Sequence, residues 1–262
     1  MKHAFSLVEL SIVLVILGLL TGGIIAGQSL IRAAELRSIV TQYEQYSVAV
    51  RNFQDKYDAL PGDLSTATSI WGAAHATPAT CRTTASTGTE TCNGNDDKGV
   101  IDNAGSNESY RFWQHLSNAG FIEGRYSGVT DGSTAYSSTA TNSPASKLPN
   151  SYWFAWRWAS FPAGAVGTMF DVPYNNVLTF GSLIANTWPA GPTLEPEESW
   201  NLDTKIDDGK PAKGNLIANA TGGLSTCTTA SGAAAAQSAD LTAEYLLSAT
   251  GKTCAFIFRN QF

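Results

Sequence analysis

Charge is scarce in this chain. Only 15% of the 262 residues are Asp, Glu, Lys or Arg, against about 25% in an average soluble domain. The 16 basic residues are outnumbered by 22 acidic ones, for a net charge of −6. That argues against a protein that coats nucleic acid, which needs a basic face to displace counterions. Histidine occurs only as His3, His75 and His115, and no Cys-x-x-Cys is present. A zinc ligand set is therefore missing. So are the Gly-x-Ser-x-Gly elbow, the P-loop and the dinucleotide fingerprint. The chain is not expected to be an enzyme, and His115 reads as a satisfied histidine, not a base. No proline stands before Pro61. No second long apolar run exists, and mean hydropathy is −0.08, which excludes a multi-span membrane protein.

What is present is lopsided. Between Leu10 and Ile31 lie 22 residues without one charge. At ~1.5 Å per residue they make a helix of ~33 Å, enough for a ~30 Å hydrocarbon layer. Lys2 and His3 precede the run, as in a secretory signal. The run is longer than the ~7–15 residues of a signal's apolar region. A plain membrane anchor would explain the length. Neither reading explains Glu9, because a carboxylate in a membrane segment costs on the order of 2–3 kcal/mol.

The string Phe5-Ser6-Leu7-Val8-Glu9-Leu10-Ser11-Ile12-Val13-Leu14-Val15-Ile16-Leu17-Gly18-Leu19-Leu20 closely resembles the N-terminus of the type IV pilin and type II secretion pseudopilin family. The resemblance covers some 20–25 residues. It implies that a prepilin peptidase cuts between Ala4 and Phe5 and that Phe5 becomes N-methylated. Ala4 replaces the family's usual Gly before the cut. Glu9 then sits one turn, ~6 Å, from the new amino terminus. It can meet the Phe5 ammonium of a neighbouring subunit and set axial register, as buried polar groups do in coiled coils.

The helix is expected to run on. Leu36, Ile39, Tyr43, Tyr46, Val50, Phe53 and Tyr57 alternate at three- and four-residue spacing through a polar segment, the stripe of a helix packed on a core. Leu60-Pro61-Gly62-Asp63 is the first break. Gly18, Gly22, Gly23 and Gly27 allow close helix contact in the inner half. Beyond it, residues 72–99 read as an Ala/Thr/Gly/Asn-rich loop and residues 124–149 as a Ser/Thr/Gly stretch with turn chemistry. Helices are expected over Glu108–Phe121, Glu195–Ile206 and Leu241–Leu247, with a short helix or turn at Ile70-Trp71. Strands are expected at Val177–Phe180 and Cys254–Phe258, and the aromatic run Tyr152–Trp158 is expected to bury half its rings. The organisation is thus a leader, 1–4; a membrane and filament-core helix, 5–31; its amphipathic continuation, 32–60; and an extracytoplasmic domain, 61–262. The fold class is α+β, and the resemblance adds that the long helix lies on an antiparallel sheet.

Cys81, Cys92, Cys227 and Cys254 allow three pairings, and proximity favours Cys81–Cys92 with Cys227–Cys254. Each bridge is worth roughly 3–4 kcal/mol by loop closure, and the family often closes its C-terminal loop with one resembling the second. Asn93, Asn95 and Asp97 fit the first oxygen positions of a calcium loop, with Glu108 as a distant fourth. The fit is imperfect, since Lys98 displaces the glycine. No cofactor is required, and a structural calcium is the candidate. Asp203, Asp207 and Asp208 read as a solvated helix end. Asn107-Glu108-Ser109 and Asn219-Ala220-Thr221 match the glycosylation sequon.

The resemblance implies a subunit of a type IV pilus or type II secretion pseudopilus. Its partners are copies of itself and other pilins in a helical filament, the prepilin peptidase, an inner-membrane assembly platform and lipid. It spans the inner membrane once before assembly and lies in a periplasmic or cell-surface filament afterwards. The alternative is a minor or tip pilin that acts as an adhesin or binds cargo.

Overall fold

The computed structural model describes residues 7–96, 107–130 and 138–259, less Ala159 and Asn186. Its first element is one helix, α1 (Leu7–Tyr57), 51 residues long. At ~1.5 Å per residue it extends ~76 Å. With no proline inside it, every interior N–H can donate along the axis. It stops where Asp58 turns to a left-handed φ of 51°, just before Pro61.

After α1 come the short helices α2 (Ala67–Trp71) and α3 (Pro78–Cys81), then α4 (Glu108–Asn118) and strands β1 (Tyr152–Trp158) and β2 (Asn175–Gly181). Helix α5 (Pro196–Ile206) follows, then β3 (Leu216–Asn219), α6 (Leu224–Cys227), α7 (Ala234–Ala239) and β4 (Ala255–Arg259). Among the described residues, the four strands form one antiparallel sheet in the order β1-β2-β4-β3. The architecture is α+β, a long apolar N-terminal helix on a small antiparallel sheet.

Register explains why the strands carry so many rings. Trp153 pairs with Phe180, Phe180 with Phe256, Leu178 with Phe258, and Phe258 with Leu216. This set shares one face, because side chains alternate along a strand. It receives α1: Tyr43 stacks on Phe258 at 4.4 Å, and Tyr46 meets Trp153 edge-on at 5.5 Å. Ile39, Tyr46, Val50 and Phe53 of the expected stripe are buried, while Leu36, Tyr43 and Tyr57 pack at its margins. Phe154, Val177, Thr179, Ile257 and Ile217 form the other face and are buried too. Met169, Phe170 and Tyr174 of the β1–β2 connection are buried in the same core. That connection is fastened by the Asp171 N–H to Ser238 O, 2.8 Å, and the Leu224 N–H to Gly167 O, 2.7 Å. With both faces covered, the strands need not alternate in polarity.

Three expectations are corrected. Leu241–Leu247 is not a helix. Its backbone runs beside the segment at Cys227, with Thr229 N–H on Glu244 O at 2.8 Å and Leu246 N–H on Cys227 O at 3.0 Å. The neighbouring helix is α7, just upstream. The 72–99 region contains α3 and a pairing of Ala73 with Thr91. The rings of β1 are also enclosed on both faces and not one: Trp153 and Phe154 are buried although they face opposite ways, while Tyr152, Trp156 and Trp158 are half-buried.

Gly62 marks a close junction between the turn after α1 and α4. Its φ is +92°, and a Cβ there would stand 2.5 Å from the Glu108 carbonyl oxygen. Gly120 has φ +78° with open space around it. Gly120→Ala should therefore lose only ~1 kcal/mol for the left-handed backbone. Gly62→Ala should lose clearly more, ~3 kcal/mol, since it adds a backbone clash. Equal losses in denaturant unfolding of the two variants would refute this account of Gly62.

Candidate functional site

Among the described residues, nothing covers the N-terminal half of α1. Leu7 is 89% exposed and Leu30 71% exposed, and the large apolar residues between them are also exposed. A window of this helix is long and apolar enough to cross a membrane, and none of that window is buried. Glu9 lies in its first turn. Cβ atoms built on Gly18, Gly22, Gly23 and Gly27 would meet nothing within 4 Å. Ala4 and Phe5 lie outside the described residues.

Arg32 is the first charge after the apolar run. Its Nε and a terminal nitrogen donate to the two Glu198 carboxylate oxygens at 2.5 Å each. It also reaches Glu35 at 3.3 Å and the Thr193 carbonyl at 3.4 Å. The Glu198 hydrogen bond raises the pKa of Arg32. Burial pushes the Glu198 carboxyl up, but the bonds from Arg32 and from the Glu195 N–H outweigh it and leave the pKa low. Glu198 is also the N3 residue of a capping box on α5, accepting from the Glu195 N–H at 3.0 Å. One carboxylate thus caps a helix of the domain and clamps the long helix where its apolar half ends. Neither residue is singled out by sequence reasoning. The available signal was Glu195-Pro196-x-Glu198, a capping-box spacing with proline at N1.

The cysteines pair as proximity favours. Cys81–Cys92 has a Cα separation of 5.8 Å and Cys227–Cys254 one of 5.3 Å. The first closes a loop over a buried polar chain. The Gly62 N–H donates to His115 Nδ1 at 3.0 Å, which leaves the proton on Nε2 to donate to Thr91 Oγ1, also at 3.0 Å. Thr91 Oγ1 donates to Gln114 Oε1 at 2.7 Å. The Arg111 guanidinium joins Thr91 at 3.2 Å, Gln114 at 2.9 Å and the Cys81 carbonyl at 3.0 Å. Burial, then the charge of Arg111, pushes the His115 pKa down to about 3. His115 is therefore a neutral core histidine.

The calcium candidates have structural duties. Asn93 Oδ1 accepts the Thr68 N–H at 2.8 Å, and Glu108 Oε1 accepts the Asn95 N–H at 3.2 Å. Glu108 is completely buried. Asp97 lies outside the described residues. These are the bonds of a turn fastened to the two flanking helices.

The second acidic cluster differs from expectation. Asp203, Asp207 and Asp208 do bring carboxylate oxygens within 4.8 Å of one another, yet Asp203 is fully buried. Its Oδ2 accepts the Tyr245 hydroxyl at 2.7 Å, and its Oδ1 accepts the Gly209 N–H at 3.1 Å. Asp207 accepts the Asn215 and Leu216 N–H groups that open β3. Burial pushes the Asp203 pKa up to about 7. The first asparagine of each sequon is also buried, Asn107 at 8% and Asn219 at 1% exposure, and so is poorly placed for a glycan.

Comparison of the chain with protein-family models, with curated proteins and with solved structures returns no match in any of the three.

Two measurements check this description. A double-mutant cycle with Arg32→Met and Glu198→Gln should give a coupling of ~1–2 kcal/mol, as expected for a half-buried bidentate pair. Additive losses would remove the clamp. The second is the pH profile of stability. A raised Asp203 contributes stability below its unfolded pKa of ~4 that is lost as pH rises through ~7. A lowered His115 contributes stability above ~6.5 that is lost as pH falls toward ~3. The slopes oppose each other, so the wild-type profile should be shallow between pH 4 and 6.5. Asp203→Asn should unmask a rise in stability with pH across that window. A variant profile as flat as wild type would contradict the His115 assignment.

Proposed function

We propose that this chain is a structural subunit of a pilin-type filament, a type IV pilus or a type II secretion pseudopilus. The observation that carries the reading is α1 itself: one continuous helix whose second half packs on the sheet and whose first half is bare and apolar. Such a surface has two stable environments, a bilayer and a bundle of its own copies. The reading uses both in turn. The helix first anchors the chain in the inner membrane, is cut between Ala4 and Phe5, and then packs against other copies with Glu9 facing a neighbour's amino terminus.

Glu9 has a distinct duty on this reading. In lipid it is a liability, and in the bundle it is a register mark. The bare glycines of the inner half permit close approach of neighbouring helices. The disulfides suit a domain held outside the cytoplasm. A minor or tip subunit that binds a surface or a cargo is the second reading. It is favoured by the size of the outer domain, some 200 residues over 61–262.

Glu9→Ala should abolish incorporation into sheared filaments while leaving the protein in the membrane fraction at near wild-type level. Normal filaments from that variant would end the register role. Intact mass of the mature protein should correspond to an N-methylated chain starting at Phe5. A start near Gln28 would instead mean a cleaved secretory signal and would overturn the proposal.

A further inference from the structure

The outer face of the sheet holds a cavity of about 300 Å³ that the filament reading does not use. Strand β1 ends at Trp158, whose ring meets Trp188 edge-on with centroids 5.4 Å apart and Tyr174 at 5.6 Å. Trp188 arrives on the excursion from Ser182 to Gly191. Reciprocal bonds pin the ends of that excursion: the Ser182 N–H to Gly191 O at 2.8 Å, and the Gly191 N–H to Ser182 O at 3.0 Å. Both indoles are half-buried, so each is held yet keeps part of its ring open. Pro162, Gly164, Ala165 and Thr168 of the β1–β2 connection add to the lining.

The polar lining is of one kind. Thr168, Thr187 and Thr221 bring hydroxyls, and Asn219 brings a carboxamide. Among the described residues, no Asp, Glu, Lys or Arg lines the cavity. Asn219 is fixed by its place in β3 and by a 3.4 Å bond from its Nδ2 to the Ala190 carbonyl. Thr168 Oγ1 donates to Ala165 O at 2.9 Å and keeps its lone pairs to accept. Small-ligand sites of this type run from ~300 Å³ upward, with aromatic walls and a few fixed polar groups.

This chemistry selects its ligand. A charged ligand would enter without a counter-charge and would lose its hydration. A purely aliphatic ligand would leave the hydroxyls unmatched. A ring with an apolar C–H face and a hydroxylated rim satisfies both kinds of lining, the face on the indoles and the rim on the threonines and the amide. We propose that this cavity binds a neutral sugar residue of a glycan, stacked on Trp188 and Trp158 and hydrogen-bonded by Thr168, Thr187 and Thr221. The inference rests on the outer face alone and holds whether or not the chain assembles into filaments.

The test uses the full chain in a phosphocholine detergent, because sugar-headed detergents would compete for the cavity. Binding to an array of neutral and acidic glycans is followed by titration of tryptophan fluorescence with the best neutral glycan. Saturable binding is expected, with acidic glycans no better than neutral ones. Trp188→Ala should weaken binding at least tenfold, Trp188→Phe much less, and Thr187→Val several-fold, with melting temperatures near wild type. Should Trp188→Ala unfold, the Phe and Val variants decide. The proposal is overturned if no neutral glycan binds, if acidic glycans are preferred, or if binding is unchanged in folded variants.

Discussion

One helix here has two unlike halves. Residues 10–31 carry no charge, and from Arg32 onward the same helix presents an apolar stripe to a sheet and polar residues elsewhere. The arrangement depends on where the change occurs, and the Arg32–Glu198 pair fixes that point. Arg32 is the first charge after the apolar run. Its bidentate partner belongs to the capping box of α5, so the end of the apolar half is tied to the domain's own helix geometry. A shift of α1 by one residue would break the clamp and the Tyr43–Phe258 stack together.

The domain beyond is held by enclosure more than by charge. Both faces of the sheet are covered, and α4 carries a buried polar chain from Gly62 through His115 and Thr91 to Gln114. That chain gathers the turn after α1, the first disulfide loop and α4 into one unit. It is also why a chain with so little charge buries Arg111, Glu108 and Asp203: each of them fastens backbone or side chain where several loops meet. The opposite displacements of His115 and Asp203 have one cause, since burial penalises whichever form is charged.

Much of this was legible in the sequence because it is local. The heptad stripe needs only the period of a helix. The strands at 177–180 and 254–258 needed only dense β-branched and aromatic residues. Helix α5 announced itself through Pro196, and the cysteine pairs through proximity. The parts that were not legible are tertiary. Leu-Ile-Ala-Asn in β3 is too short to declare itself and is a strand because β4 lies beside it. Leu241–Leu247 has helical composition but is drawn alongside Cys227 and anchored by Tyr245 on Asp203. The burial of Asp203 itself depends on a tyrosine 42 positions away. The Trp158–Trp188 cavity likewise joins two segments with no sequence pattern in common.

The exposed half of α1 has a mechanical consequence. From Leu7 to Ile31 it is an arm of ~37 Å with its fulcrum at the Arg32 clamp. A tilt of ~10° there carries the tip sideways through ~6 Å, about the radius of a helix with its side chains, while shortening its axial reach by under ~1 Å. Loose seating of Arg32 would therefore swing Glu9 laterally by about half a helix width and leave its height nearly unchanged. The seating of Arg32, nearest the bare arm, thus contributes to how accurately the far end of the molecule is aimed.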